Sequence, residues 1–343
     1  MTDIEIDVDA GEWDRELATY SGHPWQSAYW GETQHEIEGV PDQRIRLRRN
    51  GETVQMVRVE QRNVPGLGKM AWIRRGPTNA AGDGIPKLEP EIMRWLGREG
   101  YCLAVSSPFS GQVARDEGAD AAVDPKVSRT IWVDLTLGTE TLWQNLQRNF
   151  RSDVGRARKK GVTVETTRDP QLIANYCDLY HQLGETKGFE IRSSKEFILS
   201  VINRSRLDVA GAHLFLAMFE GEIAAGAMVC RCGGSLHYMN GVSNRKHSKL
   251  VPAVALHWAV MEWGVSEGCL RYDLEGIDAK GNPGVYAFKK KMGGDEIVFP
   301  PRQVYPLNLT GQLIKPIAGY VLNSGKSGLQ TLASGLWTRR AAI

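Results

Sequence analysis

The sequence has no apolar run near the roughly 20 residues that a membrane-spanning helix requires. Its opening, Met1-Thr-Asp-Ile-Glu-Ile-Asp7, is acidic and carries no apolar signal core. Cysteine is sparse: Cys102, Cys177, Cys230, Cys232 and Cys269 are scattered and odd in number. That excludes a disulfide framework and fits reduced thiols in a cytoplasmic protein. Excess charge is also lacking. A net charge of +2 gives no global basic field, so any contact with nucleic acid must come from a local patch. Metal signatures are missing too, with no His-Glu-x-x-His and no Cys-x-x-Cys. The seven histidines are dispersed. Cys230 and Cys232 stand two apart on a strand-like run, which puts both on one face as buried thiols. No metal, cofactor or serine nucleophile is expected.

A length of 343 residues favours two domains. Residues 10–40 read as helical, with Trp13, Trp25, Tyr29 and Trp30 supplying core. Two alternating runs flank an Asn-Gly pair at 50–51, a strong hairpin signal over 43–61. A turn at 65–69, a strand at 70–77, a helix over 86–98 and a strand at 101–106 complete a β-β-β-α-β order. That order suits an acyltransferase-type α/β domain. Residues 130–135 form another strand, and 139–161 read as one helix with an apolar stripe of Leu142, Leu146 and Phe150. The second half predicts helices near 170–184, 194–203 and 251–267. It predicts strands at 212–219, 222–232, 235–241 and 269–274. Its element order repeats that of the first half without residue-level self-similarity. Beyond 305 the chain turns rich in Gly, Ser and Thr, predicting a packed helix and a loose tail.

Two stretches carry candidate chemistry. In the first, Tyr272-Asp-Leu-Glu-Gly-Ile277 ends a strand on two acids. A polar loop follows, then a short helix over 284–292, stopped by Gly293 and Gly294. Val285, Phe288 and Met292 recur at helical spacing and are expected to face the core, with Lys289 at the edge of that face. Lysines 289 to 291 also suit the negative end of a helix dipole. A solvated helix end is the plain alternative. In the second stretch, Arg148, Arg151, Arg156, Arg158, Lys159 and Lys160 crowd a helix that ends at Gly161. This is either a solvated face or a phosphate-contacting one. Arg62-Asn-Val-Pro-Gly-Leu-Gly68 only approximates a pyrophosphate-cradling loop, because a strand and not a helix follows it. His237, beside Tyr238 on a strand, reads as packing.

Tyr-Asp-Leu-x-Gly-Ile, then Tyr-x-Phe-Lys and Gly-Gly, resembles the C-terminal signature of the FemABX family. These are aminoacyl-tRNA-dependent peptidyltransferases built from two GNAT-like domains. Trp25-Gln-Ser-Ala-Tyr-Trp-Gly31, Arg75-Gly-Pro77 and the basic helix before Gly161-Val-x-Val are similar to other family segments. The resemblance covers roughly 25–305, with specific motifs near 148–164 and 272–294. It implies an α+β fold of two tandem GNAT-like domains with mixed sheets flanked by helices. The expected division is 1–147, 148–305 and a C-terminal helix and tail at 306–343. Residues 193–210 leave no room for the coiled-coil arm of some members, so the chain looks closer to the short, armless ones.

The resemblance further implies aminolysis: an acceptor amine attacks the ester of an aminoacyl-tRNA, with no ATP or metal required. It assigns Lys289 and Phe288 to catalysis, with Lys290 as an alternative, and Lys289 as a charge for the developing oxyanion. It assigns Arg192 to the acceptor phosphate and Tyr238, Asn240 and Tyr286 to substrate binding. The cations of 148–160 would contact tRNA or a nucleotide diphosphate. The implied acceptor is a peptidoglycan precursor, UDP-MurNAc-pentapeptide or its lipid-linked form, or another peptide or small-molecule amine. Peripheral membrane contact through the C-terminal segment is also expected. Two neighbourhoods depart from the pattern. Trp30-Gly-Glu-Thr lacks the family lysine, and Ser106-Ser-Pro lacks the family aspartate. These departures leave room for another donor, an acyl thioester, and for a role in natural-product or polysaccharide assembly.

Overall fold

A computed structural model describes residues 2–64, 68–80, 84–110, 112–113, 128–187, 193–205 and 209–323. The chain forms two compact units. Unit 1 combines Met1–Ser128 with Val298–Ile343, and unit 2 is Arg129–Ile297.

Unit 1 begins with β1 (Thr2–Ile6), α1 (Ala10–Thr19), α2 (Ala28–Glu38), β2 (Asp42–Arg49), β3 (Glu52–Val64) and β4 (Gly68–Arg74). The two-residue β5 (Thr78–Asn79), α3 (Pro90–Arg98), β6 (Tyr101–Ser107) and the two-residue β7 (Gln112–Val113) follow. The Asn50-Gly51 turn joins β2 to β3 as expected, with both residues at positive φ. β4 and β6 run parallel. On one face of the sheet Ile45, Leu47, Val57, Val59, Ala71 and Ile73 pack with Ile92 and Leu96 of α3. On the other, Arg58 reaches Gln34 of α2. The first strand and the separation of α1 from α2 were not legible in the Trp-rich opening.

Unit 2 contains β8 (Arg129–Asp134), α4 (Gly138–Asn145), α5 (Arg148–Lys159), β9 (Thr163–Thr167), α6 (Pro170–Lys187) and α7 (Lys195–Arg204). Then come β10 (Ala210–Phe219), β11 (Glu222–Cys232), β12 (Ser235–Ser243), α8 (Pro252–Ser266), β13 (Arg271–Asp273), α9 (Pro283–Lys290) and β14 (Asp295–Val298). Within this unit the strands lie in the order β14-β8-β13-β12-β11-β10-β9. Phe150, Val154 and Ala157 of α5 and Val254, Trp258 and Met261 of α8 pack with Ala225, Ala227 and Val229 of β11. All five cysteines are buried thiols outside any disulfide.

The chain returns to unit 1 through β15 (Gln303–Pro306), which pairs antiparallel with β6, and α10 (Leu309–Asn323). Ile314 of α10 packs with Leu103 and Val105. Leu309 and Leu313 are 78% and 79% exposed. The expected division at 147 and 305 therefore differs from the compact units. β8 and α4 give Ile131, Val133 and Leu142 to the core of unit 2, while β15 belongs to the sheet of unit 1. No helix among the described residues is long and apolar enough to cross a membrane.

The expected single helix over 139–161 is two. Leu146 and Gln147 are extended, with ψ of 142° and 144°, and break it between α4 and α5. Arg151 satisfies the carbonyls this break frees. Its Nη1 donates to Trp143 O at 3.3 Å and to Gln144 O and Leu146 O at 2.5 Å.

Candidate active site

β13 sits between β12 and β8, and its register sets His237 beside Asp273 and Asp273 beside Trp132. Asp273 is buried and well satisfied. It accepts from the Thr130 hydroxyl, from Trp132 Nε1 at 2.9 Å and from the Glu275 amide at 2.8 Å. Burial and then the Glu275 charge push its carboxyl above the usual range. Glu275 has a φ of 56°, in the left-handed region, and its Oε1 lies 3.0 Å from His237 Nδ1. The loop beyond is pinned by Asp278, whose carboxylate accepts from the amides of Lys280 and Gly281. Asn282 then caps α9, and Pro283 occupies its first turn.

Lys289 is on the last turn of α9 and only 5% exposed. Its Nζ donates to Glu275 O at 3.0 Å and Gly276 O at 2.9 Å. It also lies 5.6 Å from the centroid of the Tyr238 ring. Burial lowers its pKa to about 8, against the opposing pull of Glu275 and Asp273. Two backbone carbonyls and an aromatic face thus hold a cation in an enclosed place. Around it, His257 contacts the rings of Tyr238 and Phe288 edge-on at 4.7 and 5.5 Å. Burial, then the Lys289 charge, drives His257 down to about 3, so it is neutral. Burial raises the Tyr238 phenol to about 12. Neither ring carries charge near neutral pH, and Lys289 is the cation of this cluster.

The two sequence stretches meet in space. The Gln147 amide at the start of α5 donates to Lys291 O at 3.0 Å, and Phe150 contacts Phe288 at 6.1 Å. Arg148 is exposed at that end of α5 and helps line a shallow depression with Gln147, Asn149, Ser152 and Asp153.

The expected site residues fare differently. Phe288 packs against the core beside Lys289 and Met292 is buried, but Val285, in the first turn of α9, is 37% exposed. Gly293 and Gly294 have φ of 78° and 87°, and a Cβ on Gly294 would meet Trp132 O at 2.4 Å. Tyr286 donates to Glu296 at 2.6 Å, and Lys290 pairs with the same carboxylate at 2.8 Å, so Lys290 is committed away from Lys289's contacts. Tyr238 joins the Lys289 cluster. Asn240 instead accepts from the Tyr176 hydroxyl at 2.5 Å. A bulge separates the two: Tyr238 pairs with Val229 and Asn240 with Met228, so simple alternation no longer aligns them. Arg192 lies outside the described residues, as does part of the 65–69 turn.

Of the α5 cations, Arg156 pairs with Asp153 and Arg158 with Glu262. Arg151 is taken up by carbonyls. Arg148, Lys159 and Lys160 are exposed and form no ion pair among the described residues. Sequence reasoning missed His237, Asp273, Thr130 and Trp132, which converge only through strand register. It also passed over Gly264-Val-Ser-Glu-Gly268, which matches a serine-nucleophile pattern. There Ser266 ends α8 and donates to Trp263 O at 2.8 Å, so no strand-to-helix elbow exposes it.

Residues 144–290 match the acetyltransferase (GNAT) domain family. Among solved structures, the chain resembles FemX with a TM-score of 0.75 at 19% identity, covering 91% of this chain and 99% of FemX. This is a tandem GNAT fold of the FemX type. The C-terminal domain of a putative lysylphosphatidylglycerol synthetase from Agrobacterium fabrum is also similar (TM-score 0.53, 12% identity, 92% of this chain and 98% of that one). So is a conserved protein of unknown function from Bacteroides thetaiotaomicron (TM-score 0.53, 11% identity, 87% and 99%). No curated protein matches the sequence. The stretch that matches the GNAT family holds α5, Tyr238, Asp273 and Lys289 together. The chain thus carries a GNAT-domain match over 144–290 within a tandem GNAT-like fold.

Proposed function

We propose that this chain is a GNAT-type acyltransferase that moves an amino acid from aminoacyl-tRNA onto an amine by aminolysis. The acceptor in this reading is a peptidoglycan precursor, UDP-MurNAc-pentapeptide or its lipid-linked form. The observation that carries it is the junction of the basic start of α5 with the 289–291 turn, through the Gln147 amide and Lys291 O. That junction ties the helix start that carries an exposed arginine, suited to an RNA phosphate, to the turn that follows the buried Lys289.

The step balances without a nucleophilic side chain. The neutral amine attacks the carbonyl carbon of the aminoacyl ester, forming a C–N bond and placing the carbonyl electron pair on oxygen. Collapse of that oxyanion breaks the C–O bond to the terminal ribose. The proton lost from the amine ends on the ribose oxygen. Lys289 stabilises the oxyanion as a fixed charge, and Phe288 holds the Lys289 stem against α5. Tyr238 supplies the aromatic wall, and Tyr286, tied to Glu296, steadies the outer edge of α9.

A second reading has an acyl thioester as donor, favoured by the acetyltransferase description of the matched family. Transfer of labelled amino acid from charged tRNA by purified protein tests the first reading. Product formation from donor already digested with RNase would overturn it, and transfer from a CoA thioester would establish the second. Membrane contact through α10 forms part of the proposal. Leu309 and Leu313 are exposed, and no acidic residue follows Glu296.

A further inference from the structure

The turn that receives Lys289 is a strand bulge. On β8, Ile131 O and Arg129 O accept from the amides of Leu274 and Ile277, each at 2.9 Å. Two steps along β8 thus face three steps along the opposing chain, and the extra residue bends it outward. Glu275 and Gly276 stand between these anchors, and their carbonyls converge on Lys289 Nζ. The φ of 56° at Glu275 is a conformation that glycine or asparagine adopts far more readily. The signature Tyr-Asp-Leu-x-Gly-Ile leaves this position open, so the resemblance gives Glu275 no role.

What a glutamate adds there is a side chain fixed in place. His237 on β12 is fully buried, and the parallel register sets it beside Asp273. Its Nδ1 lies 3.0 Å from Glu275 Oε1 and 3.9 Å from Asp273 Oδ2. An ionised carboxylate only accepts, so Nδ1 carries the proton of the shorter contact. The Glu275 amide donates to Asp273 at 2.8 Å. Side chain, amide and carbonyl thus tie Glu275 to β12, β13 and α9 in turn. The titratable groups packed around Lys289 within unit 2 come from several elements. β12 brings His237 and Tyr238, β13 and the turn bring Asp273 and Glu275, and α8 brings His257, whose Nδ1 meets the Tyr272 hydroxyl at 3.0 Å. α5 presents Phe150 to Phe288, and on α9 itself Lys290 is paired with Glu296. Burial works against the Lys289 ammonium, and Glu275, then Asp273, are the charges that oppose it.

We propose that His237 and Glu275 are positioning residues for Lys289: the buried imidazole anchors the Glu275 carboxylate, and the anchored residue fixes the carbonyl cradle and supplies its countercharge. The consequence for catalysis rests on the oxyanion reading of Lys289 given above, whereas the anchoring itself does not. Neither residue touches the reacting atoms in this scheme; both act through Lys289.

NMR titration of the full chain, isotopically labelled at lysine Cε and with Lys289→Met to assign the signal, tests it. In the wild type Lys289 should titrate at about 8. Glu275→Gln keeps an acceptor for His237 and removes the charge, so Lys289 should then titrate at about pH 7 or below. His237→Phe keeps a ring and removes the donor, and it should move Lys289 the same way. His237→Asn restores a donor and should return the titration toward that of the wild type. An unchanged Lys289 titration in Glu275→Gln overturns the proposal, whether or not His237→Phe folds. A folded His237→Phe with the wild-type titration overturns the part of His237. Imidazole nitrogen spectra read the same contact without altering His237: they should show Nδ1 protonated and a changed signal in Glu275→Ala, and an unchanged signal overturns the anchor. In single-turnover transfer from charged tRNA, the alkaline limb should move down with the Lys289 titration in each variant. A titration that moves as expected in a chain that transfers no amino acid would support the anchoring and remove the aminolysis reading.

Discussion

Replacing Lys289 with methionine is the most informative perturbation, because its two effects separate. The substitution keeps the stem length and removes the ammonium group. Glu275 O and Gly276 O then lose their donor, at a cost of about 1–3 kcal/mol for each group left buried and unpaired. Part of that loss is offset, because burying the cation itself costs stability. A pKa lowered from 10.5 to about 8 means that the unfolded chain holds the proton more tightly. Wild-type stability therefore rises with pH between about 8 and 10.5, and the penalty, on the order of 3 kcal/mol, applies in full below about 8. The melting temperature of Lys289→Met should fall modestly and lose this alkaline rise. Activity should fall far more. Loss of a positioned oxyanion partner costs about 100- to 1,000-fold in kcat. In the wild type, single-turnover transfer from charged tRNA should decline as pH rises through about 8, where the ammonium loses its proton. A folded Lys289→Met that transfers within about threefold of wild type, with the same alkaline limb, would refute the catalytic assignment and leave Lys289 a structural clamp.

Arg151→Ala should destabilise the chain by about 1–3 kcal/mol in urea denaturation, because three carbonyls at the α4–α5 break lose their donor. Lys159→Ala should stay within about 0.5 kcal/mol. The combined Arg148→Ala, Lys159→Ala and Lys160→Ala variant should bind tRNA more weakly in filter binding. Its salt slope should fall by about 0.7–0.9 for each phosphate no longer neutralised, and an unchanged slope would remove α5 from the RNA interface. Burial works to raise the Glu60 pKa, but Arg74, Arg58 and Arg62 outweigh it and hold the carboxyl at about 2. Its contribution is present above the ordinary carboxyl value and is lost as pH falls toward about 2. Glu60→Gln should cost about 3–5 kcal/mol near neutrality and flatten the acid limb of stability measured by circular dichroism.

Much of the fold was readable because local signals agreed with tertiary ones. The hairpin at 50–51 and the apolar stripes of α5 and α8 needed no distant partner to be recognised. The burial of Lys289 was not readable from its spacing, which predicts a solvated helix end; only the motif singled the residue out. What remained hidden depended on pairing between remote strands. Asp273 meets Thr130 across more than a hundred residues, and His237 joins it through the parallel register of β12 and β13. The α4–α5 break escaped notice because neither Leu146 nor Gln147 is a helix breaker. The extended backbone there is held by Arg151 and by the Lys291 carbonyl. The bulge that separates Tyr238 from Asn240 likewise carries no glycine or proline to announce it.

The division of unit 1 into two separated pieces bears on how the chain is made. Unit 2 is one continuous segment and has all of its strands once residue 297 has left the ribosome. Unit 1 does not. β6 waits for β15 roughly 200 residues later, or about 10–40 s at the usual pace of synthesis of about 5–20 residues per second. During that interval one edge of β6 lacks its strand, and Leu103 and Val105 lack the cover of Val304 and Ile314. A released chain truncated before 303 should therefore engage holding chaperones through β6 while its unit 2 is protease-resistant. The N-terminal 128 residues expressed alone should aggregate unless β15 and α10 are supplied as a separate peptide.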